Sequence, residues 1–148
     1  MPEKKTMQRA RRDKKEGKAP STQAGEFVRE EIEHVREGKH GARSTKQAIA
    51  IGLQKARRAG VKLPPPAKGT TSERTRKAAE NAIEEGRTHK KPSRKRSTAT
   101  RKALKREGRT AASTTALSRQ AKSAARKRSA TSRSQAAKKA ARTRKRTA

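Results

Sequence analysis

Large aliphatic and aromatic side chains, methionine aside, occupy only twelve positions: Phe27, Val28, Ile32, Val35, Ile49, Ile51, Leu53, Val61, Leu63, Ile83, Leu104 and Leu117. Nine of the twelve fall between positions 27 and 63. Ordering one residue costs roughly 1–2 kcal/mol of backbone entropy, and burial of apolar surface is the main term that offsets it. With that supply a chain of 148 residues is expected to build one small folded unit, flanked by segments that lack a core.

Charge is the complementary constraint. Lys and Arg number 44 against 13 Asp and Glu, a formal net charge of +31. Residues 1–86 hold 21 basic and 12 acidic side chains, residues 87–148 hold 23 and one. Such a balance points to a polyanionic partner. The absence of cysteine excludes disulfides and thiolate metal sites and fits a reducing compartment. The first residues, MPEKKTMQRARRDKKEGK, lack the apolar run of a secretory signal, and no window approaches the roughly 18 apolar residues of a membrane span. A cytoplasmic protein is the expectation.

The triplet Glu-Gly-Lys/Arg recurs at Glu16-Gly17-Lys18, Glu37-Gly38-Lys39, Glu85-Gly86-Arg87 and Glu107-Gly108-Arg109, each after a run suited to helix. Glycine just past a helix takes a left-handed backbone at little steric cost, and the cation faces the negative helix end. Read as stops, with Gly60 as a fifth, these glycines predict helices near 3–16, 22–37, 45–59, 72–85 and 98–107.

In the second of these, Ala24, Phe27, Val28, Ile32 and Val35 share one arc and Glu26, Glu30, Glu33 and Glu37 line the other side, with Ser21 or Thr22 as N-cap. The third has the best-marked ends: Ser44 with Gln47 forms a capping box, Gly60 and Val61 supply a Schellman close, and Pro64 to Pro66 forbid continuation. Its apolar face runs Ala48, Ile49, Gly52, Leu53, Ala56 and Ala59. A mid-helix glycine costs about 1 kcal/mol relative to alanine, so Gly52 implies a neighbouring helix at close approach. The two faces are expected to pair as a helical hairpin. Ile51 lies off the apolar arc, so a homodimer, or the helix at 72–85 through Ala79 and Ile83, is expected to cover the remainder.

The expected fold class is mainly α: a short helical hairpin with up to four short helices, plus a long intrinsically disordered basic tail. The expected organisation is a basic N-terminal segment (1–20), the hairpin module (21–66), a short helix (67–86) and a Lys/Arg/Ala/Ser/Thr tail (87–148). In that tail 54 of 62 residues are basic, Ala, Ser or Thr, and like charges at close spacing repel, so order is expected only on binding.

Catalysis finds no support: there is no Cys, Tyr or Trp, one Asp, and His34, His40 and His89 sit without a pocket-forming core. Glu30 and His34, four apart, with His40 nearby fall short of a structural zinc set, so no metal and no cofactor are expected. The expected phosphate contacts are Arg94, Lys95, Arg96, Arg101, Lys102, Lys105, Arg106, Lys122, Arg126, Lys127, Arg128, Lys138, Lys139, Arg142, Arg144, Lys145 and Arg146 in the tail. Lys39, Arg43, Lys46, Lys55, Arg57 and Arg58 are the expected contacts in the module. If half of the tail's charges engage, about ten phosphates are neutralised and affinity falls steeply with salt. Single-strand and loop readers stack bases on aromatics, and Phe27 is the only aromatic ring of that kind, which favours duplex DNA over RNA. No membrane or small-molecule partner is expected. The competing roles are an adaptor working through the acidic helix face and an RNA-binding or ribosome-associated protein.

The segment GEFVREEIEHVREGKHGARSTKQAIAIGLQKARRAGVKLPPP, above all its KQAIAIGL run, resembles a family of small basic bacterial proteins built on a domain of unknown function. Some relatives of that family carry the label "plasmid stabilisation protein". The tail is similar in composition to the Lys/Ala-rich tails of linker histones and bacterial histone-like proteins, without a winged-helix domain. The resemblance implies a histone-like, nucleoid-associated role and brings no established activity.

Overall fold

The close approach that Gly52 demands is the centre of the fold. In the computed structural model, which describes residues 2–88, 91 and 93–147, α1 (Lys4–Lys15), α2 (Pro20–Arg36) and α3 (Thr45–Arg58) form the first half of a helical array. A Cβ on Gly52 would stand 2.6 Å from the Val28 Cα and 2.9 Å from its nitrogen. The buried seam of α3 is therefore Ala48, Gly52 and Ala56, one small residue per turn, against Phe27, Ile32 and Val35 of α2. Ile49 and Leu53, expected to carry the contact, are only half-buried beside it.

The ends of α3 are built as its residues dictate. Ser44 Oγ accepts from the Gln47 N–H at 3.2 Å, and Gln47 Oε1 accepts from the Arg43 N–H at 2.7 Å. At the other end the Val61 N–H donates to the Ala56 carbonyl and Gly60 sits at φ +85. Gly17 and Gly38 also close helices in the left-handed region. Gly86 does not: it lies inside α4 (Glu73–Arg87), where a Cβ would run into the Arg57 carbonyl, and Gly108 is no left-handed stop either. The same triplet thus marks two helix ends and one helix–helix contact.

α1 adds Ala10 and Met7 to the cluster around Phe27, Ala24 and Ala56. α4 packs on α3 through Ala79 and Ala82, while Ile83, expected to anchor it, is 36% exposed. Ala79, Ala82 and Gly86 recur at helical spacing, so the small face of α4 turns inward and the larger side chain turns out.

The disordered tail expected over 87–148 is overturned. Its described residues form α5 (Arg94–Lys105), a single 3₁₀ turn (Thr110–Ala112), α6 (Thr114–Arg126) and α7 (Ala130–Thr147). The physical reason is alanine. Ala112 is fully buried and Ala111 nearly so, completing a cluster with Ile32, Val35, Ala42 and Ala48, and Leu117 packs on it. Arg36 Nε donates to the Ala112 carbonyl at 2.8 Å and Thr45 Oγ1 to the Ala111 carbonyl at 2.7 Å. The Gly41 and Ala42 N–H groups donate to the carbonyls of Leu104 and Gly108. Docking thus rests on methyl groups and backbone, which a count of large side chains misses. Within the tail, Ser113 Oγ caps α6 by accepting from the Ala116 N–H, and alanine, lysine and arginine are good helix formers. At the far end Arg146 donates to the carbonyls of Glu16 and Gly17, fastening the end of α7 to the end of α1.

The molecule exposes 11224 Å², whereas a compact monomer of its mass exposes about 7500 Å². Much of the excess is α5, which buries no residue, and α7, exposed along nearly its whole length. Among the described residues no helix is long and apolar enough to cross a membrane.

Candidate nucleic-acid interface

A polyanion meets a surface only where cations are not already paired within the chain. The acidic face of α2 consumes many of the module's cations. Glu26 pairs with Arg9 at 3.7 Å, Glu30 with Lys55 at 3.4 Å, Glu33 with Arg29 at 3.1 Å and Glu37 with Lys39 at 2.9 Å. Nor is that face wholly solvated: Glu30 is 3% exposed, and its neighbour Glu31 is fully buried with its Oε2 2.6 Å from Lys55 Nζ. Burial works to raise the Glu30 pKa, yet hydrogen bonds from Thr6 and the Glu3 N–H, together with Lys55, leave it below the usual carboxylate value.

Of the six cations expected at the module surface, four are engaged. Lys55 neutralises Glu30 and Glu31. Arg57 is buried, which pushes its guanidinium pKa down, and it donates to the Pro64 carbonyl at 3.0 Å. Arg58 Nε pairs with Glu85 at 2.6 Å. Lys39 is held by Glu37 and Glu3, whose hydrogen bonds raise its pKa. Arg43 and Lys46 remain exposed on either side of the α3 cap.

Tail docking gives those two cations a partner. Ala111 and Ala112 seat the start of α6 beside the start of α3, and the cleft between them is lined by Arg43, Ser44 and Lys46 on one wall and Thr115, Arg119 and Ser123 on the other. On α6 the residues Arg119, Lys122 and Arg126 fall at i, i+3 and i+7, within about 60° of arc, opposite Leu117, Ala121 and Ala124. None of the three makes an ion pair among the described residues. The groove beside Ser118, Arg119 and Lys122 continues the cleft outward and Arg126 follows on the same arc of α6, so five cations from the start of α3 and from α6 form one track. Arg119 and its cleft position were not anticipated from the sequence. The legible signal is the basic spacing of SRQAKSAAR, opposite an apolar stripe.

The other tail cations are exposed but less focused. Arg94, Lys95, Arg96, Arg101, Lys102 and Lys105 stand on α5, with Arg106 just beyond it. Lys127 and Arg128 occupy the turn before α7, where Arg128 donates to the Ser132 carbonyl. Lys138, Lys139, Arg142, Arg144, Lys145 and Arg146 wind round α7, which is about 27 Å long, so only part of them can face one partner at a time.

With this geometry established, comparison places part of the chain. Residues 3–67 match the model of a family of unknown function, DUF6496. No curated protein matches, and no solved structure does. The DUF6496 region comprises α1, α2, α3 and the proline run after them. Arg43 and Lys46 lie inside it, and Arg119, Lys122 and Arg126 lie outside.

Proposed function

We propose that this protein binds duplex DNA without sequence preference, as a histone-like, nucleoid-associated protein acting through phosphate neutralisation. The observation that supports the reading most is the track of Arg43, Lys46, Arg119, Lys122 and Arg126, unpaired by carboxylates and fixed by the docking of the tail on α2 and α3. Four of the five cations belong to helices and Arg43 to the turn that the α3 cap fixes, so their spacing is set before the partner arrives. Phe27 is fully buried, which leaves no aromatic ring of the Phe, Tyr or Trp type for base stacking, and the interaction rests on phosphates. The adaptor reading needs a free acidic face, and each of Glu26, Glu30, Glu33 and Glu37 is already paired within the chain.

The test is titration of the full chain against duplex DNA and double-stranded RNA of matched length over a series of salt concentrations. The expected result is binding to unrelated DNA sequences with equal affinity and a steep salt dependence. Affinity that is insensitive to salt would refute the reading, and a preference for structured RNA would move it to an RNA-binding role.

A further inference from the structure

We infer that Glu31, His34 and His40 form a site for one divalent transition-metal ion of the zinc class. One ligand atom from each of the three lies within 4.8 Å of the other two, and the two imidazoles meet edge to face at 6.1 Å. Glu31 and His34 are at i and i+3 on α2, the spacing by which helical bundles direct a carboxylate and an imidazole at one ion, and His40 comes from the loop after Gly38.

The hydrogen bonds on the far side of each ring decide what the near side offers. His40 Nδ1 lies 3.0 Å from the Gly41 carbonyl, which only accepts, so Nδ1 carries the proton. Its Nε2 then points a lone pair at Glu31 Oε1, 3.0 Å away, unless a cation stands between them. His34 repeats the pattern: Nε2 lies 2.9 Å from the Glu3 carboxylate, which leaves Nδ1 with the lone pair. Two imidazoles, each fixed by an oxygen acceptor on its other nitrogen, form the outer shell that metal-ligating histidines ordinarily have.

Charge balance points the same way. Glu3, Glu30, Glu31 and Glu37 meet Lys39 and Lys55, two carboxylates in excess around a fully buried oxygen pair, which one divalent ion neutralises. Lys55 holds Glu31 Oε2, so Oε1 is the oxygen left for the ion. Tetrahedral zinc with bonds of about 2.0–2.1 Å separates its ligand atoms by about 3.4 Å, which side-chain adjustment of about 1 Å provides here. Three protein donors leave the fourth position to water, and a nitrogen and oxygen donor set suits zinc, nickel and copper better than calcium or magnesium.

The site is joined to the tail. His40 precedes Gly41 and Ala42, whose N–H groups hold the Leu104 and Gly108 carbonyls. An ion on His40 therefore stiffens the loop on which the tail docks.

The experiment is titration of Zn²⁺ into the full metal-free chain against a competing chelating dye, with Co²⁺ as a spectroscopic substitute and amide hydrogen exchange as a second readout. One equivalent is expected at neutral pH, with slower exchange at Gly41 and Ala42. His34→Gln and His40→Gln are expected to abolish the stoichiometric uptake while far-UV circular dichroism stays as in the parent chain. Glu3→Gln is expected to weaken uptake about 10–100-fold through the His34 ring alone. His89 lies outside the described residues, and His89→Ala is expected to bind as the parent does. Absence of stoichiometric uptake by the parent chain, retention of it by the His34→Gln/His40→Gln double variant, or its loss in His89→Ala would each overturn the assignment.

Discussion

Replacing Arg119, Lys122 and Arg126 together by alanine removes the outer part of the cation track and little else. All three are exposed, they have no ion-pair partner among the described residues, and alanine is at least as good a helix former, so α6 is expected to stay folded. Each neutralised phosphate contributes about −0.9 to the slope of log affinity against log salt on duplex DNA, so three lost contacts flatten it by about 2.7. Over a fourfold rise in salt, from about 50 to 200 mM, the parent chain should lose about 40-fold more affinity than the variant. Fluorescence anisotropy with labelled duplexes of unrelated sequence, read at several salt concentrations, measures both slopes. Arg57→Ala serves as the contrast: that side chain is buried against the Pro64 carbonyl, and its loss should lower stability while leaving the slope unchanged. The reasoning fails if the triple variant keeps the parent slope, or if its affinity drops by the same factor at every salt concentration.

Three further outcomes test the architecture. Gly52→Ala sets a Cβ 2.6 Å from the Val28 Cα, forces α2 and α3 apart, and is expected to cost on the order of 1–3 kcal/mol in urea unfolding followed by circular dichroism. Ala112→Leu overfills the crevice that the 3₁₀ turn occupies, so limited proteolysis should cut between α5 and α6 while α1–α4 resist. Lys55→Ala leaves Glu30 and Glu31 buried without their counter-charge, and a loss of about 3–5 kcal/mol is expected in the same unfolding assay, with the salt slope for DNA unchanged.

What the sequence displays and what it conceals follow from one physical distinction. Helix ends are written locally: Ser44 with Gln47, and Gly60 with Val61, announce α3 within a few residues of each boundary, and the Ser44 cap and the glycine close form as expected, while the Gln47 side chain reaches one residue further back, to the Arg43 N–H. Gly52 is legible for the same reason, since a mid-helix glycine has a cost that only a neighbour explains. Burial of small residues is not written locally. Ala111 and Ala112 are indistinguishable in composition from the other alanines of the tail, and only the crevice between α2 and α3 selects them. Gly86 follows a glutamate and precedes a cation like Gly17 and Gly38, yet it seats α4 on α3, a difference set by tertiary contact. The candidate interface divides in the same way. The exposed cations are visible in the sequence, but which cations are spent depends on carboxylates far along the chain, as Arg58 with Glu85 illustrates. Glu31 falls inside the arc of Phe27, Val28, Ile32 and Val35 at 100° per residue, so its burial is legible on the wheel, but the partners that make a buried carboxylate tolerable, Lys55 and His40, lie elsewhere in the chain.

The seams of alanine and glycine bear on how this protein responds to temperature. The heat capacity of unfolding follows newly hydrated apolar surface, about 12–15 cal/mol/K per residue in ordinary domains. Here the native state already exposes about half again the area of a compact monomer, and what it hides is largely methyl groups and backbone. The heat-capacity increment per residue therefore falls below that range, and the stability curve is shallow. A chain that spends nearly a third of its residues on cationic side chains holds its helices together over a broad span of temperature with a small margin throughout, in place of a high maximum at one point.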